Sequence, residues 1–351
     1  MNYSGKNNYK DFLEFLHVNY EGIQEYEVFT NDLSVLSYLG EEENQLIFAM
    51  INGENVFDEQ CRIYGVRVPV GELKAENPEV IDEVKKEQYV LRDNVAQIAL
   101  WPTADLMITF SQLLGIKGKF FFEPGFARNV VLAKEFAKPI NLRFITKRKN
   151  NRVFLYGVAG DYYTKEDENL IPDLLTECEK RYGKMSGCEW EMSDQLIKIF
   201  CQFRGLPTVS GYELGVFIQT SNVMTSSFRC KLKKGSLMIP LDGVVKKHTK
   251  KLIGQDIAEE LFAKEECFDI ARKNLKESYT KDVLKSAKDS KIYNILGKKR
   301  LKQIFPSWKG GIERSKDEMI RESERMLESM SLKTDLHERA CQLLGYILMN
   351  E

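Results

Sequence analysis

Histidine is scarce in this chain, and cysteines are never closely paired. Only His17, His248 and His337 occur in 351 residues, and none lies in a recognisable catalytic arrangement with Ser, Cys or Asp. The seven cysteines are odd in number and widely scattered, without a CxxC pair. This spacing gives no sign of a zinc finger or of a disulfide framework. We therefore predict reduced structural thiols, no metal site and no cofactor.

Long apolar runs are also missing. The longest, residues 237–241 and 343–349, are far shorter than the ~18–20 residues that span a bilayer. Residues 1–9 have neither the basic start nor the apolar stretch of a secretory signal. With 43% hydrophobic residues, the composition is typical of a globular protein. We predict a cytoplasmic protein without a membrane partner.

The sequence motifs of common enzymes are absent as well. No glycine-rich loop ends in Lys-Ser or Lys-Thr, so the sequence argues against nucleoside triphosphate hydrolysis. Neither GxSxG nor HExxH occurs. We therefore favour a noncatalytic protein, although the sequence does not decide whether it is an enzyme.

Charge is divided unevenly along the chain. The net charge is only -1, but residues 1–130 hold 21 acidic and 11 basic side chains. Residues 229–302 hold 20 basic and 10 acidic side chains. Such an asymmetry indicates a surface for a polyanion or for an acidic partner.

Hydrophobic periodicity predicts an α+β protein with a central, largely antiparallel sheet flanked by helices and with a helical C-terminal region. Apolar residues at helical spacing predict a first helix over 9–20. Two hairpins are predicted, one from 45–51 and 61–70 and one from 140–148 and 152–157. Further strands are predicted at 213–220, 228–233 and 237–241, and helices alone beyond residue 250.

Helix-stop signals and changes in composition suggest how the chain is divided. Gly115 and Gly183 follow helical patterns that start near 104 and 165, where a glycine favours termination. We predict a mixed α/β acidic N-terminal module over 1–100, a central α+β sheet domain over 101–250 and a helical region over 251–351.

Lysine and arginine form two clusters that we predict to bind nucleic acid. Cationic side chains that meet phosphates release condensed counterions, which gives sequence-independent binding. The first cluster occupies the tip of the second hairpin, where side chains project freely. It consists of Lys147, Arg148, Lys149 and Arg152. The second surrounds a short apolar strand and consists of Arg229, Lys231, Lys233, Lys234, Lys246, Lys247, His248, Lys250 and Lys251. Such cations are equally typical of exposed edge strands, where charged side chains prevent the strand from pairing with an edge strand of another molecule.

Two stretches carry a resemblance to a known family. The first runs from Ile108 to Leu175 and contains Phe110, Ser111, Gln112, Leu113, Leu114, Gly115 and Ile116, then Arg143, Arg152 and Tyr162 or Tyr163. The second, 211–235, holds a Gly-Val strand and a Ser-rich turn, with His248 following. Together they resemble the phage- and plasmid-borne family known as domain of unknown function 932, except that Lys233-Lys234-Gly235 replaces its usual Cys-Asn-Gly. The resemblance implies a mobile-element setting and an accessory role in nucleic-acid metabolism or conflict with the host.

We therefore expect a noncatalytic nucleic-acid-binding accessory protein of a phage, plasmid or other mobile element, with DNA or RNA as its partner. One alternative is an interaction factor, such as an inhibitor or anti-defence protein, that binds a protein through the acidic N-terminal third, notably residues 41–43 and 79–87. Another is a metal-dependent nuclease, with candidate carboxylates Asp161, Glu189, Glu191, Glu213 and Asp242. An oligomer that joins acidic and basic surfaces head to tail is compatible with all three.

Overall fold

The structure is a computed structural model of the full chain. It describes residues 2–30, 33–39, 43–51, 64–68, 89–90, 97–103, 106–116, 131–132, 134–136, 138–149, 152–160, 164, 167–206, 208–209, 212–221, 223, 228–234, 239–279, 282–305, 314–330, 332 and 334–350. For some strand residues only the backbone is described, among them Arg148, Lys149, Arg152, Lys231, Lys233 and Lys234.

Helices frame the fold at its start, in its middle and throughout its last hundred residues. They are α1 (Tyr9–Glu21), α2 (Leu106–Leu113), α3 (Leu170–Tyr182), α4 (Gly254–Phe262), α5 (Glu266–Asn274), α6 (Val283–Asp289), α7 (Tyr293–Ile304), α8 (Lys316–Ser329) and α9 (Thr334–Asn350). Gly115 and Gly183, which follow α2 and α3, adopt the left-handed φ of +67° and +78° that glycine allows without strain. The predicted stops are therefore confirmed, although α3 begins at 170, not 165.

The first sheet is antiparallel and has the spatial order β1-β10-β11-β13-β14-β15. Its strands are β1 (Asn2–Lys6), β10 (Met185–Ser193), β11 (Ile197–Phe203), β13 (Tyr212–Thr220), β14 (Phe228–Lys234) and β15 (Ile239–Lys246), with the short β12 (Thr208–Val209) beside β13. Helix α3 packs on β11, α4 on β14 and β15, and α5 on β15. The last three strands were predicted, whereas β10 and β11 were missed.

The second sheet has the order β2-β8-β9-β7-β4-β3-β5-β6, with one parallel pair, β7 and β9. Its strands are β2 (Ile23–Phe29), β3 (Leu33–Leu39), β4 (Glu43–Ile51), β5 (Tyr64–Val68), β6 (Tyr89–Val90), β7 (Gln97–Pro102), β8 (Asn141–Lys149) and β9 (Arg152–Ala159). The hairpin of β8 and β9 is confirmed, with Lys149 opposite Arg152. The hairpin predicted from 45–51 and 61–70 is wrong. In the sheet β3 lies between β4 and β5 and pairs with both, so β4 and β5 do not pair with each other.

The helical C-terminal region also contains a two-residue strand pair, β16 (Ser278–Tyr279) with β17 (Arg314–Ser315). The predicted α+β class is confirmed: a largely antiparallel sheet flanked by helices, followed by a helical region. Strand pairing crosses residue 100 in both sheets, since β1 pairs with β10 and β2 pairs with β8. In the part of the chain that the structure describes, no helix has the length and apolar character needed to cross a membrane.

Hairpin β8–β9 is buried on both faces and joins two hydrophobic cores. Ile145, Tyr156 and Ala159 belong to the large core beneath the first sheet. Phe144, Val153, Leu155 and Val158 belong to a smaller core that includes Phe110 of α2. Burial of such side chains contributes roughly 1.5–3 kcal/mol each. The hairpin therefore fixes the second sheet against the strand ends of the first.

Candidate functional site

One face of the first sheet packs on α3, α4 and α5, while the opposite face forms the floor of a groove. Strand register determines which residues share this floor, because successive side chains along a strand alternate between the faces. One row of directly opposed residues crosses six strands. It consists of Ser4, Glu191, Lys198, Gln219, Arg229 and Val245. We call it the polar row.

The neighbouring row on the same face contains an aromatic pair. It consists of Lys6, Glu189, Phe200, Phe217, Lys231 and Gly243. Phe200 and Phe217 lie directly opposite each other on β11 and β13. Phe200 covers Gly215, where an added Cβ would lie 2.4 Å from a carbon of the ring. Phe200 is 5% exposed and Phe217 is half-buried, so the pair forms the apolar centre of the floor.

Helix α9 supplies a wall of the groove with His337, Glu338, Cys341 and Gln342. The helix approaches β15 closely, since a Cβ added at Gly345 would lie 2.2 Å from the carbonyl oxygen of Pro240. The volume of the groove is about 640 Å³. This is within the range of about 300–1,000 Å³ that is typical of small-molecule and cofactor sites.

Ion pairs neutralise some of the charges in the groove but not all. Lys6 Nζ lies 2.7 Å from Glu189 Oε1, and Lys198 Nζ lies 3.5 Å from Glu338 Oε1. The hydrogen bond to Glu189 raises the pKa of Lys6. Arg229 and Glu191 also line the groove, and neither side chain makes a hydrogen bond or ion pair with another described residue. The groove therefore offers a cation on β14 and an anion on β10, on either side of the aromatic pair.

Lys147 does not project freely from the hairpin tip. It is 7% exposed, and its ammonium group donates hydrogen bonds to Asn19 Oδ1 and, at 3.0 Å, to the carbonyl oxygen of Asp194. The same group lies 5.9 Å from the centre of the Tyr156 ring. This correction follows from register: Lys147 pairs with Phe154, two positions inside the turn. The backbones of Arg148, Lys149 and Arg152 form the end of the hairpin, and their side chains lie outside the described residues.

The second cluster is partly in the groove and partly outside it. Arg229 lines the groove, and the register of β14 places Lys231 opposite Phe217 and Lys233 opposite Gly215, with Lys234 opposite Leu214. Lys246 forms an ion pair with Glu260 of α4, on the helix-covered face. Lys247, Lys250 and Lys251 are exposed beyond β15. His248 is buried, and its carbonyl oxygen accepts a hydrogen bond of 2.7 Å from the Thr164 amide.

The described contacts do not bring Lys147 and the cations after β15 together. Lys147 lies beside the β10–β11 turn, whereas β15 is the edge strand three positions beyond β11. At about 4.8 Å per strand, three positions correspond to roughly 14 Å. Of the cations predicted to bind nucleic acid, Arg229 is the one whose described side chain lines the groove.

The carboxylates considered for a nuclease are also dispersed. Glu189 and Glu191 face the groove from β10, but Asp242 forms an ion pair with Lys264 at 2.9 Å outside it. Asp161 and the Glu213 side chain lie outside the described residues, as do 41–42 and 79–87 of the acidic N-terminal third. Within the described residues, no three His, Cys, Asp or Glu side chains are placed to hold a metal ion.

The cysteines that the structure describes with their side chains are buried free thiols, as predicted: Cys178, Cys188, Cys201, Cys267 and Cys341. Burial raises the pKa of Cys178 to about 12, with a smaller contribution from the charge of Glu177. Burial likewise raises the pKa of Cys267 to about 12. Such thiols stay protonated near neutral pH.

No sequence motif identifies the aromatic pair, Lys198, Gln219 or the α9 wall as parts of a site. The detectable signal was the alternation of charged and apolar residues in β10 and β11, where Glu189, Glu191 and Lys198 separate buried residues.

Comparison of the chain with protein-family models, with curated proteins and with solved structures finds no match. We therefore argue function from the geometry of the groove.

Proposed function

We propose that the protein binds single-stranded nucleic acid in the groove over the first sheet. The observation that carries the proposal is the position of Arg229, which has no described acidic partner and lines the groove one strand away from the aromatic pair. A guanidinium group binds phosphate oxygens through paired hydrogen bonds. An aromatic side chain next to it can stack on a base.

The open face of an antiparallel sheet is well suited to this role. Phe200 and Phe217 are held in place by direct pairing across β11 and β13. The half-buried ring of Phe217 is the more accessible of the two. Stacking on aromatic side chains requires bases that are not paired in a duplex, so the geometry favours a single strand. The groove volume suits a segment of one or two nucleotides.

The proposed groove differs from the basic surface predicted from the sequence. Lys147 and Lys246 bind groups of the protein itself, so they add little to phosphate binding. Glu189, Glu191 and Glu338 balance the charges of Lys6, Lys198 and Arg229 in the described lining of the groove, which favours a modest affinity that depends on stacking as well as on charge. The accessory role in a mobile element remains part of the proposal and depends on the family resemblance.

Fluorescence anisotropy with short labelled DNA and RNA, single-stranded and double-stranded, tests the proposal. We expect the single strands to bind more tightly than the duplex. Arg229→Gln should weaken binding about tenfold or more, because a hydrogen bond to a charged group contributes about 1.5–3 kcal/mol. It should also lower the slope of log K against log salt by about 0.7, the value for one phosphate contact on a single strand.

Lys250→Gln is the matched control, since Lys250 is an exposed cation outside the groove. It removes the same charge from the protein and should change affinity little. Equal losses of affinity in the two variants, or no binding of any single strand, would contradict the proposal.

A further inference from the structure

We infer that Glu191 makes the groove selective for bases that carry an exocyclic amino group, cytosine above all, over uracil and thymine. The inference rests on the proposed function and adds a base preference to it. It concerns the end of the groove opposite Arg229, where β10 presents its carboxylates.

The spacing of the strands places a stacked base between two kinds of charge. The aromatic pair spans β11 and β13, with β10 on one side and β14 on the other. At about 4.8 Å per strand, the centre of the pair is about 7 Å from each of these flanking strands. A nucleotide whose phosphate meets Arg229 on β14 therefore directs the far edge of its base toward β10.

Of the two glutamates that β10 directs into the groove, Glu191 is the one whose charge is not already compensated. The carboxylate of Glu189 is 2.7 Å from the ammonium group of Lys6. The Glu191 side chain makes no hydrogen bond or ion pair with another described residue. Its neighbour across the row, Lys198, forms its ion pair with Glu338 of α9. An incoming base therefore meets an uncompensated carboxylate at this position.

A carboxylate accepts hydrogen bonds and donates none when ionised. It therefore binds the N4 amino group of cytosine, as acidic side chains do in DNA recognition. Uracil and thymine present the O4 carbonyl oxygen at the corresponding position, and two acceptors that face each other repel. The expected discrimination is about tenfold in Kd.

The experiment compares oligodeoxycytidine with oligodeoxyuridine by fluorescence anisotropy at one salt concentration. Their bases differ at position 4, an amino group in cytosine and a carbonyl oxygen in uracil, and at N3, an acceptor in cytosine and a donor N–H in uracil. The wild-type protein should prefer oligodeoxycytidine by about tenfold. Glu191→Gln should abolish most of this preference, because an amide offers a donor and an acceptor and can bind either base.

Glu189→Gln is the control, since it changes the neighbouring carboxylate in the same way. It releases Lys6 from its partner and should raise the affinity for both oligomers while retaining the preference. Tight binding of both oligomers with equal affinity would overturn the base preference, and a preference that survives Glu191→Gln would overturn its assignment to Glu191; both outcomes leave the proposed function intact. Failure of both oligomers to bind would overturn the proposed function itself.

Discussion

The lysines and arginines of the two predicted basic clusters have very different surroundings in this protein. Lys147 is buried against α1, Lys246 is held by Glu260, and Lys250 is exposed. Arg229 combines partial burial with a position in the groove. A cation that is already paired with a carboxylate or carbonyl group of the protein contributes less to ligand binding, because that contact must be exchanged for the ligand. The Arg229 side chain is unpaired within the described residues and lies in the groove, whereas Lys250 lies outside it, and this is why Arg229 carries the proposed function.

A pair of glycine substitutions tests how closely α9 must approach the groove. Gly345→Ala should destabilise the protein by about 1–3 kcal/mol, because the new methyl group collides with the Pro240 carbonyl oxygen and must displace backbone. Gly22→Ala has open space around it and a φ of -78°, which alanine adopts readily. It should leave stability unchanged or raise it by about 0.4–1 kcal/mol. Urea unfolding midpoints measure both changes, and equal effects would show that α9 is not tightly seated.

At the scale of secondary structure, the helix pairing that supports the first sheet includes a pH-dependent contact. Arg181, in the last turn of α3, donates two hydrogen bonds, of 3.0 and 2.9 Å, to the carboxylate of Glu265, which directly precedes α5. These bonds hold the pKa of Glu265 below its ordinary value. Because the folded-state pKa is lowered, the contact stabilises the protein above the unfolded pKa of about 4.3 and is lost as the pH falls through the folded value.

Glu265→Gln should therefore cost about 0.5 kcal/mol at neutral pH, a modest amount because Arg181 is more than half exposed. The difference between wild type and variant should shrink as the pH falls from the unfolded pKa of about 4.3 through the lower folded-state pKa, below which the carboxylate is protonated in both states of the wild type. Chemical unfolding across this pH range measures it. A difference that grows as the pH falls would have the wrong sign for this contact.

The sequence predicts elements whose signals are local. Hairpin β8–β9 has alternating apolar runs on either side of a polar turn, and α3 ends at a glycine; both are present. The missed β10 alternates buried residues with Glu189 and Glu191, which are polar because they face the groove. The pairing of β4 and β5 with β3 is a choice between partners that no local pattern determines.

The candidate site is even less visible in the sequence than the fold. Its residues come from β1, β10, β11, β13, β14, β15 and α9, so Ser4 and Gln342 line the same groove from opposite ends of the chain. Among the described side chains that line the groove, those of Arg229, Glu189 and Glu191 were identified beforehand as candidates for any function. Sheet register, which is a long-range property, aligns them into rows.

At the scale of the whole molecule, the two sheets are tied together by a polar cluster as well as by the hydrophobic cores. Lys147 of β8 binds Asn19 of α1 and the Asp194 carbonyl oxygen in the turn between β10 and β11. Asn19 in turn donates to the carbonyl oxygen of Ser193, and Tyr156 of β9 donates to Asp194 Oδ2. The chain enters both sheets within its first thirty residues, through β1 and β2. We therefore expect the sheets to unfold in one cooperative step.

Lys147→Ala tests this coupling. The substitution leaves two partly buried acceptors without the Lys147 donor, which should cost about 2 kcal/mol. Hydrogen exchange should accelerate in β8–β9 and in β10–β11 to the same extent, because one opening reaction exposes both hairpins. Lys138→Ala is the control, since Lys138 is an exposed lysine whose ion pair with Glu135 contributes little. Faster exchange confined to β8–β9 would show instead that the second sheet opens while the groove stays folded, and that the two sheets are separate cooperative units.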